Sequence, residues 1–202
     1  MRELSTDTHI KRLKAKYNIT KASLGVFVMI EYFSSSAGHI YEGVEILRYR
    51  IVLPRITGND NITDFYREIF DSTLLFCKGE LCKYSEEKYL LCDLPKKRFN
   101  YSPIVYRLEG RVTHADSECL FVKLTASVCQ RGGSDSTRAY DAHAWSLSDG
   151  RLLPPRAAAR EYLQAKRLPR EIKGKEFLID GGKAYICTPT ELTPLDIPIV
   201  QK

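Results

Sequence analysis

Phe177-Leu178-Ile179-Asp180-Gly181-Gly182-Lys183-Ala184-Tyr185-Ile186-Cys187-Thr188-Pro189-Thr190-Glu191-Leu192-Thr193-Pro194-Leu195-Asp196-Ile197-Pro198-Ile199-Val200 is the stretch whose reading decides the fold class. Two apolar runs of strand-forming residues, 177–179 and 184–187, flank Asp180-Gly181-Gly182. Glycine reaches positive φ at little steric cost, so this triplet reads as the tight turn of a β-hairpin. Prolines punctuate the tail beyond Cys187, and 197–200 reads as one more short strand.

Working outward, the preceding hundred or so residues repeat the same theme. Residues 104–114, 119–129 and 137–147 read as successive strands, and the terminal hairpin continues the series. Ala115-Asp116-Ser117 joins the first two strands, Gly132-Gly133-Ser134-Asp135 the next two, and Ser148-Asp149-Gly150 ends the third. Strands at this spacing, separated by glycine or Asx turns, predict an antiparallel meander. Ala157-Ala158-Ala159-Arg160-Glu161-Tyr162-Leu163 predicts a short helix whose first turn tolerates the prolines before it.

The first half contains one clear amphipathic helix. Ile62, Phe65, Tyr66, Ile69, Phe70, Thr73, Leu74 and Phe76 recur at three- and four-residue spacing. Asn61 or Thr63 can cap it, Asp64 and Glu68 suit the positive end of its dipole, and Gly79 ends it. Residues 83–92 read as a second short helix or an irregular connection. Upstream, 24–33 reads as a strand, 34–38 as a loop, and 41–53 as a long strand ending at Pro54. The predicted class is therefore α+β: a mostly antiparallel sheet packed against one main helix, with a second short helix near 157–165. Residues 1–21 form a basic arm, and 22–202 form a single domain. Its companion half is 22–100 and its strand-dominated half 101–202.

The chain has 202 residues, 44% of them hydrophobic, enough to bury a core unaided. Its net charge of +6 favours acidic partners at low salt but is too small to define a nucleic-acid binder. Cysteines stand at positions 77, 82, 92, 119, 129 and 187. Their irregular spacing, in a chain that needs no staples, predicts free buried thiols in a reducing compartment. Cytoplasmic location is the expectation. Secretion or cell-surface display is the alternative, because a basic stretch at 11–16, an apolar run at 24–30 and small residues at 34–38 imitate a signal peptide. That apolar run is far shorter than the ~20 residues a spanning helix needs.

The second half resembles a β-rich module of Gram-positive bacteria, found in the extracytoplasmic parts of some anti-sigma factors and in some peptidoglycan deacetylases. The residues carrying the resemblance are Gly132 and Gly133, then Asp149 and Gly150 before the helix, then Gly181 and Gly182 in the hairpin turn. Pro189, Glu191, Leu192 and Pro194 match its late segment, and Ile197-Pro198 its closing strand. The residues at 22–100 match the companion region that precedes the module. Two features depart from the family. Its Gly-Gly turn continues Ala-His-Gly, whereas here Ser134-Asp135-Ser136 comes next, and its membrane anchor or cleavable signal has no counterpart. The resemblance implies the fold and a recognition role, and it carries over no catalytic residue.

Candidate chemistry is sparse. Asp141 and His143 share a strand face with Trp145, and a carboxylate beside a histidine can orient a general base. Such a hydrolase requires both side chains in one concave pocket with a hydroxyl, a thiol or a metal, and packing of His143 against the helix would end it. Otherwise the pair is a partly buried polar element of the sheet. Cys77, Cys82 and Cys92 lack the close paired spacing and the fourth ligand of a structural zinc site, so no metal is expected. Lys96-Lys97-Arg98 with Phe99 and Tyr101 reads as a solvated loop in preference to a base-stacking platform. The cluster Lys11, Arg12, Lys14 and Lys16 reads the same way. Gly132, Gly133 and Asp135 form a turn able to present backbone N–H groups to an anion. Tyr41, Tyr49, Tyr101, Tyr106 and Tyr140 are candidates for exposed contact area on the sheet. The expected function is a non-enzymatic binding or sensing module for a protein or peptidoglycan-fragment ligand. Gly132, Gly133, Asp135, Asp141, His143 and Trp145 are its candidate contacts, and no cofactor is expected. The alternatives are a small hydrolase using Asp141 and His143, and nucleic-acid binding through the basic segments.

Overall fold

The structure is a computed structural model that describes residues 20–21, 27–92, 101–130, 137–164 and 168–200. Its elements run β1 (Thr20–Lys21), β2 (Phe27–Tyr41), β3 (Val44–Thr57), α1 (Asp60–Lys78), α2 (Glu80–Leu90), β4 (Ile104–Ala115), β5 (Cys119–Gln130) and β6 (Thr137–Ser146). Next come α3 (Pro155–Tyr162), a 3-10 turn at Arg170–Ile172, β7 (Glu176–Asp180), β8 (Lys183–Cys187) and β9 (Leu192–Leu195). Strands β1 to β6 form one sheet in sequence order, and β7 to β9 form a second. The α+β class with one main helix and a short one is thus present, but the terminal hairpin belongs to its own sheet and does not extend the meander.

Two N-terminal expectations require correction. Residues 34–38 are not a loop: β2 runs straight through them, with Ser34 opposite Val52, Ser36 opposite Arg50 and Gly38 opposite Arg48. The chain reverses instead at Glu42-Gly43, both at positive φ (47° and 79°). That pair supplies the turn twist that matches right-handed strands. Nor does Pro54 end β3. It lies beyond Val52, the last β3 residue paired with β4, so β3 has one neighbour there and tolerates the missing N–H.

Asn59, rather than Asn61 or Thr63, caps α1, its side-chain oxygen accepting the Ile62 N–H at 3.3 Å. Thr63 does other work. Its buried hydroxyl donates to Ile56 O at 2.8 Å and accepts from Ile56 N at 3.0 Å, fastening the helix to the end of β3. Gly79 does end α1, donating its N–H to Leu75 O at 2.9 Å, and α2 begins at once. The two helices carry the chain back across the sheet, so β4 pairs with β3 in parallel, from Leu47 opposite Ile104 to Val52 opposite Glu109. A parallel neighbour needs such a crossover. The remaining pairs in both sheets are antiparallel.

Two apolar cores result. Ile62, Tyr66 and Cys77 of α1 pack on Leu47, Ile51 and Leu53 of β3 and on Leu120, Val122 and Leu124 of β5. On the other face, Cys119 and Phe121 of β5 and Ala142 and Ala144 of β6 pack with Ala158 and Tyr162 of α3 and with Phe177, Ile179, Ala184 and Ile186 of the second sheet. Alternate residues of β5 therefore feed alternate cores, as the two-residue strand period dictates. The β7–β8 turn is at Gly181-Gly182, as expected, with φ of 57° and 75°. The strand expected at 197–200 is reduced to one bridge, Ile199 with Leu163, and the third strand of this sheet is β9, inside the proline-punctuated tail. Ion pairs from Asp180 to Arg111 (2.6 Å) and to Lys123 (2.8 Å) join the second sheet to the first.

Candidate functional site

Strand β6 delivers Asp141, His143 and Trp145 to one face, as their spacing requires, and that face looks onto α1. Helix α1 answers with Phe65 and Tyr66. The Phe65 ring meets His143 edge-on at 5.1 Å and Trp145 at 5.0 Å. Trp145 Nε1 donates to Tyr66 Oη at 2.9 Å, and Tyr66 Oη lies 3.1 Å from His143 Nδ1. His143 Nε2 lies 3.2 Å from Asp141 Oδ2.

The donor inventory orients this chain. Indole N–H can only donate, so the Tyr66 oxygen accepts from Trp145, and the same hydroxyl is hydrogen-bonded to His143 Nδ1. The other ring nitrogen, Nε2, faces the Asp141 carboxylate. Burial opposes the Asp141 charge, but the hydrogen bond and attraction from His143, with the Ala142 N–H at 2.8 Å, outweigh it and hold the carboxyl below its usual range. Burial pushes the Tyr66 phenol well above its ordinary value. Both imidazole nitrogens are thus engaged, and His143 is 8% exposed.

Asp141 alone reaches a concavity. A cleft of about 390 Å³ lies between β6 and the second sheet, lined by Asp141, Glu176, Cys187, Lys175 and Thr188 among others. Burial, then the Asp141 carboxylate, push the Glu176 carboxyl up, against the pull of His143. Burial, then Asp141 and Glu176, push the Cys187 thiol up to about 11, so it is overwhelmingly protonated at neutral pH. His143 does not line this cleft; it is packed against α1. The condition that general-base chemistry by Asp141 and His143 imposes, both side chains in one concavity, is not met.

A second buried polar cluster lies at the β4–β5 turn. Asp116 Oδ1 accepts the Glu118 and Cys119 N–H groups at 2.8 Å each, and Oδ2 accepts the Tyr162 hydroxyl. His114 Nε2 stands 3.5 Å from Oδ2, and no hydrogen bond among the described residues satisfies it. Burial opposes the Asp116 charge, but these donors and the nearby imidazole overcome it and hold the carboxyl far below its ordinary value. The Tyr162 phenol is raised, by burial first and by Asp116 next.

Of the expected contacts, Asp141, His143 and Trp145 come together; Gly132, Gly133 and Asp135 lie outside the described residues, as do Lys96, Lys97, Arg98 and the cluster at 11–16. Tyr49 is buried and Tyr106 packs on Phe76, so these two tyrosines serve the core. The six cysteines form no disulfide, and among the described residues no group of three or more His, Cys, Asp or Glu side chains is arranged to hold a metal. Sequence reasoning missed Tyr66 and Phe65 as partners of β6, and Glu176 and Cys187 as neighbours of Asp141. Their helical spacing and hairpin position were legible; their meeting with β6 was not.

The fold defines a class: a six-stranded mixed sheet with a helical crossover on one face and a small second sheet on the other. No family model matches the chain, and no curated protein matches it. Among solved structures, the chain is similar to a member of the DUF3298 family from Bacteroides fragilis. The TM-score is 0.52 at 11% identity, covering 85% of this chain and 90% of that one. A DUF3298 family protein from Pseudomonas aeruginosa gives a TM-score of 0.48 at 11% identity, covering 86% and 94%. At this identity the likeness to the Bacteroides fragilis protein is one of fold. No helix among the described residues is long and apolar enough to cross a membrane.

Proposed function

We propose that the chain is a non-enzymatic binding or sensing module for a protein or cell-wall-derived ligand. The observation that carries this reading is the closed hydrogen-bond chain from Trp145 through Tyr66 and His143 to Asp141. It uses the histidine to join sheet to helix and leaves no ring nitrogen for a substrate. Meanwhile the face of β2, β3 and β4 that bears Ser36, Arg50 and Arg107 holds an open cleft.

The test is paired. The whole chain is titrated by calorimetry against soluble peptidoglycan fragments and against a panel of purified proteins, and assayed for turnover of ester, amide and glycan substrates. Saturable binding without turnover is expected. Sustained turnover that disappears in His143→Ala, with the thermal melt of the variant still cooperative, overturns the reading.

The runner-up is a small hydrolase acting from the cleft beside β6. What favours it is the opposite displacement of two carboxyls, Asp141 down and Glu176 up, on one concavity, the pattern expected of an acid and base pair. Loss of turnover in Glu176→Gln with binding intact would select it.

A further inference from the structure

Strand register assembles a row that the sequence scatters over more than one hundred residues. Ser36 of β2 stands opposite Arg50 of β3, Arg50 opposite Arg107 of β4, Arg107 opposite Ser127 of β5, and Ser127 opposite Arg138 of β6. All three arginines are exposed. Like charges directly opposite on paired strands oppose each other and weaken the pairing. Elsewhere on this sheet the arrangement differs: Arg48 is paired with Glu45, Arg55 with Glu31 and Arg111 with Asp180. Among the described residues, no acidic side chain pairs with Arg50, Arg107 or Arg138.

The same row borders an open cleft of about 440 Å³. Small residues of β2, Ser36, Ala37 and Gly38, form one side, and Arg50 and Arg107 another. Glu109, two residues along β4, is the acid in the lining, facing Arg48, Arg50 and Arg107; Arg48 is already paired with Glu45, and Arg138 extends the positive row beyond the cleft.

We propose that this row is a binding site for a carboxylate-rich polypeptide, an acidic segment of a partner protein; the proposal rests on the binding-module reading above. Guanidinium forks match carboxylates in bidentate fashion. Two features favour an acidic peptide over a nucleic acid or a glycan. The tyrosines bordering the cleft turn inward: Tyr49 is 5% exposed and Tyr106 lies against Phe76. The cleft therefore offers no platform for stacking bases or sugar rings. The charges are also spread in a line. Adjacent strands are about 4.8 Å apart, so the guanidiniums stand on stems about 5 and 10 Å apart. An extended acidic chain repeats its side chains on one face about every 7 Å, within reach of flexible arginines. The Ser36 and Ser127 hydroxyls interleave as further donors.

The probe is fluorescein-labelled poly-L-glutamate, titrated with the whole chain at low and at physiological salt and followed by anisotropy. Saturable binding that weakens with salt is expected. Arg50→Glu and Arg107→Glu should each weaken it roughly tenfold or more, the worth of one charge-assisted contact. Lys183→Glu, exposed on β8, should bind as the unchanged chain. Both arginine positions are exposed and a Glu opposite the remaining arginine relieves the like-charge pair, so neither arginine variant should melt below the unchanged chain. Unchanged affinity in Arg107→Glu overturns the site, and equal or tighter binding of single-stranded DNA of matched charge overturns the assigned partner. A protein or peptidoglycan ligand from the calorimetric panel that binds both arginine variants as well as the unchanged chain overturns the row while the binding-module reading stands. Turnover lost in His143→Ala would fell that reading separately.

Discussion

Tyr66 is the residue on which the inner polar chain turns, since its single hydroxyl serves both Trp145 Nε1 and His143 Nδ1. Tyr66→Phe keeps the ring packing and leaves both buried partners unsatisfied, so a loss of about 3 kcal/mol is expected in urea denaturation. A loss under about 0.5 kcal/mol would mean that the two groups re-pair or hydrate. The Asp141 and His143 pairing was legible because residues two apart share a strand face. The Tyr66 contact was not, because it spans 77 positions that only the folded register closes. Asp116 supplies a prediction in pH. Its folded carboxyl titrates below the unfolded value of about 3.9, so at low pH the unfolded chain binds the extra proton. The stability it contributes is complete above about pH 5 and is lost as pH falls through about 4 toward the folded value. Asp141 and Asp180 act in the same direction. Urea midpoints should therefore drop between pH 6 and pH 3, and the drop should be shallower in Asp116→Asn. Equal slopes for the two proteins would remove Asp116 from the account.

Among the elements, helix α1 separates a correct outline from a misplaced boundary. Its apolar periodicity was unmistakable, yet four cap-forming residues compete within five positions, Asn59, Asp60, Asn61 and Thr63, and sequence alone does not rank them. The fold decides, because Thr63 is consumed by Ile56 and the Asn61 side chain reaches out to Asp149 O at 3.3 Å. Asn59→Ala should accordingly cost about 1 kcal/mol. Asn61→Ala should cost less than about 0.5 kcal/mol, as an exposed contact does. The reverse order in thermal melts would reassign the cap. The two hairpins make the same point about turns. Asp180-Gly181-Gly182 announced itself by composition. Glu42-Gly43 was overshadowed by the serine-rich segment at 34–38, where pairing with β3 overrides a weak local preference. The parallel β3–β4 pairing could not be read at all, because no local pattern states which strand a crossover returns to.

At the scale of the whole molecule, the two cores are joined by β5 and β6, which feed both. Alternation along 119–129 and 137–147 told that these strands had two faces, but not that each face would be covered by a different layer. The second layer comes from α3 and the terminal hairpin, far along the chain, and binds through Phe121 edge-on to Tyr162 and Phe177. If β5 and β6 transmit stability across the sheet, neither core opens alone. Two thiols report on this. Cys77 is buried in the helix-side core, where burial and Cys82 push its thiol up to about 11. Cys187 is buried in the other core and is pushed up to about 11 as well. Both are inert until exposed, so their alkylation in the native protein measures the opening of each core. With shared strands, the two should be modified with the same apparent opening free energy, and Phe121→Ala, which removes about 3–5 kcal/mol of packing, should speed both equally. The measurement is mass-spectrometric thiol labelling over time in low urea. Acceleration of Cys187 alone would mean that the second sheet and α3 unfold as a separate unit, and that the open face bearing Arg50 and Arg107 keeps its geometry when they do.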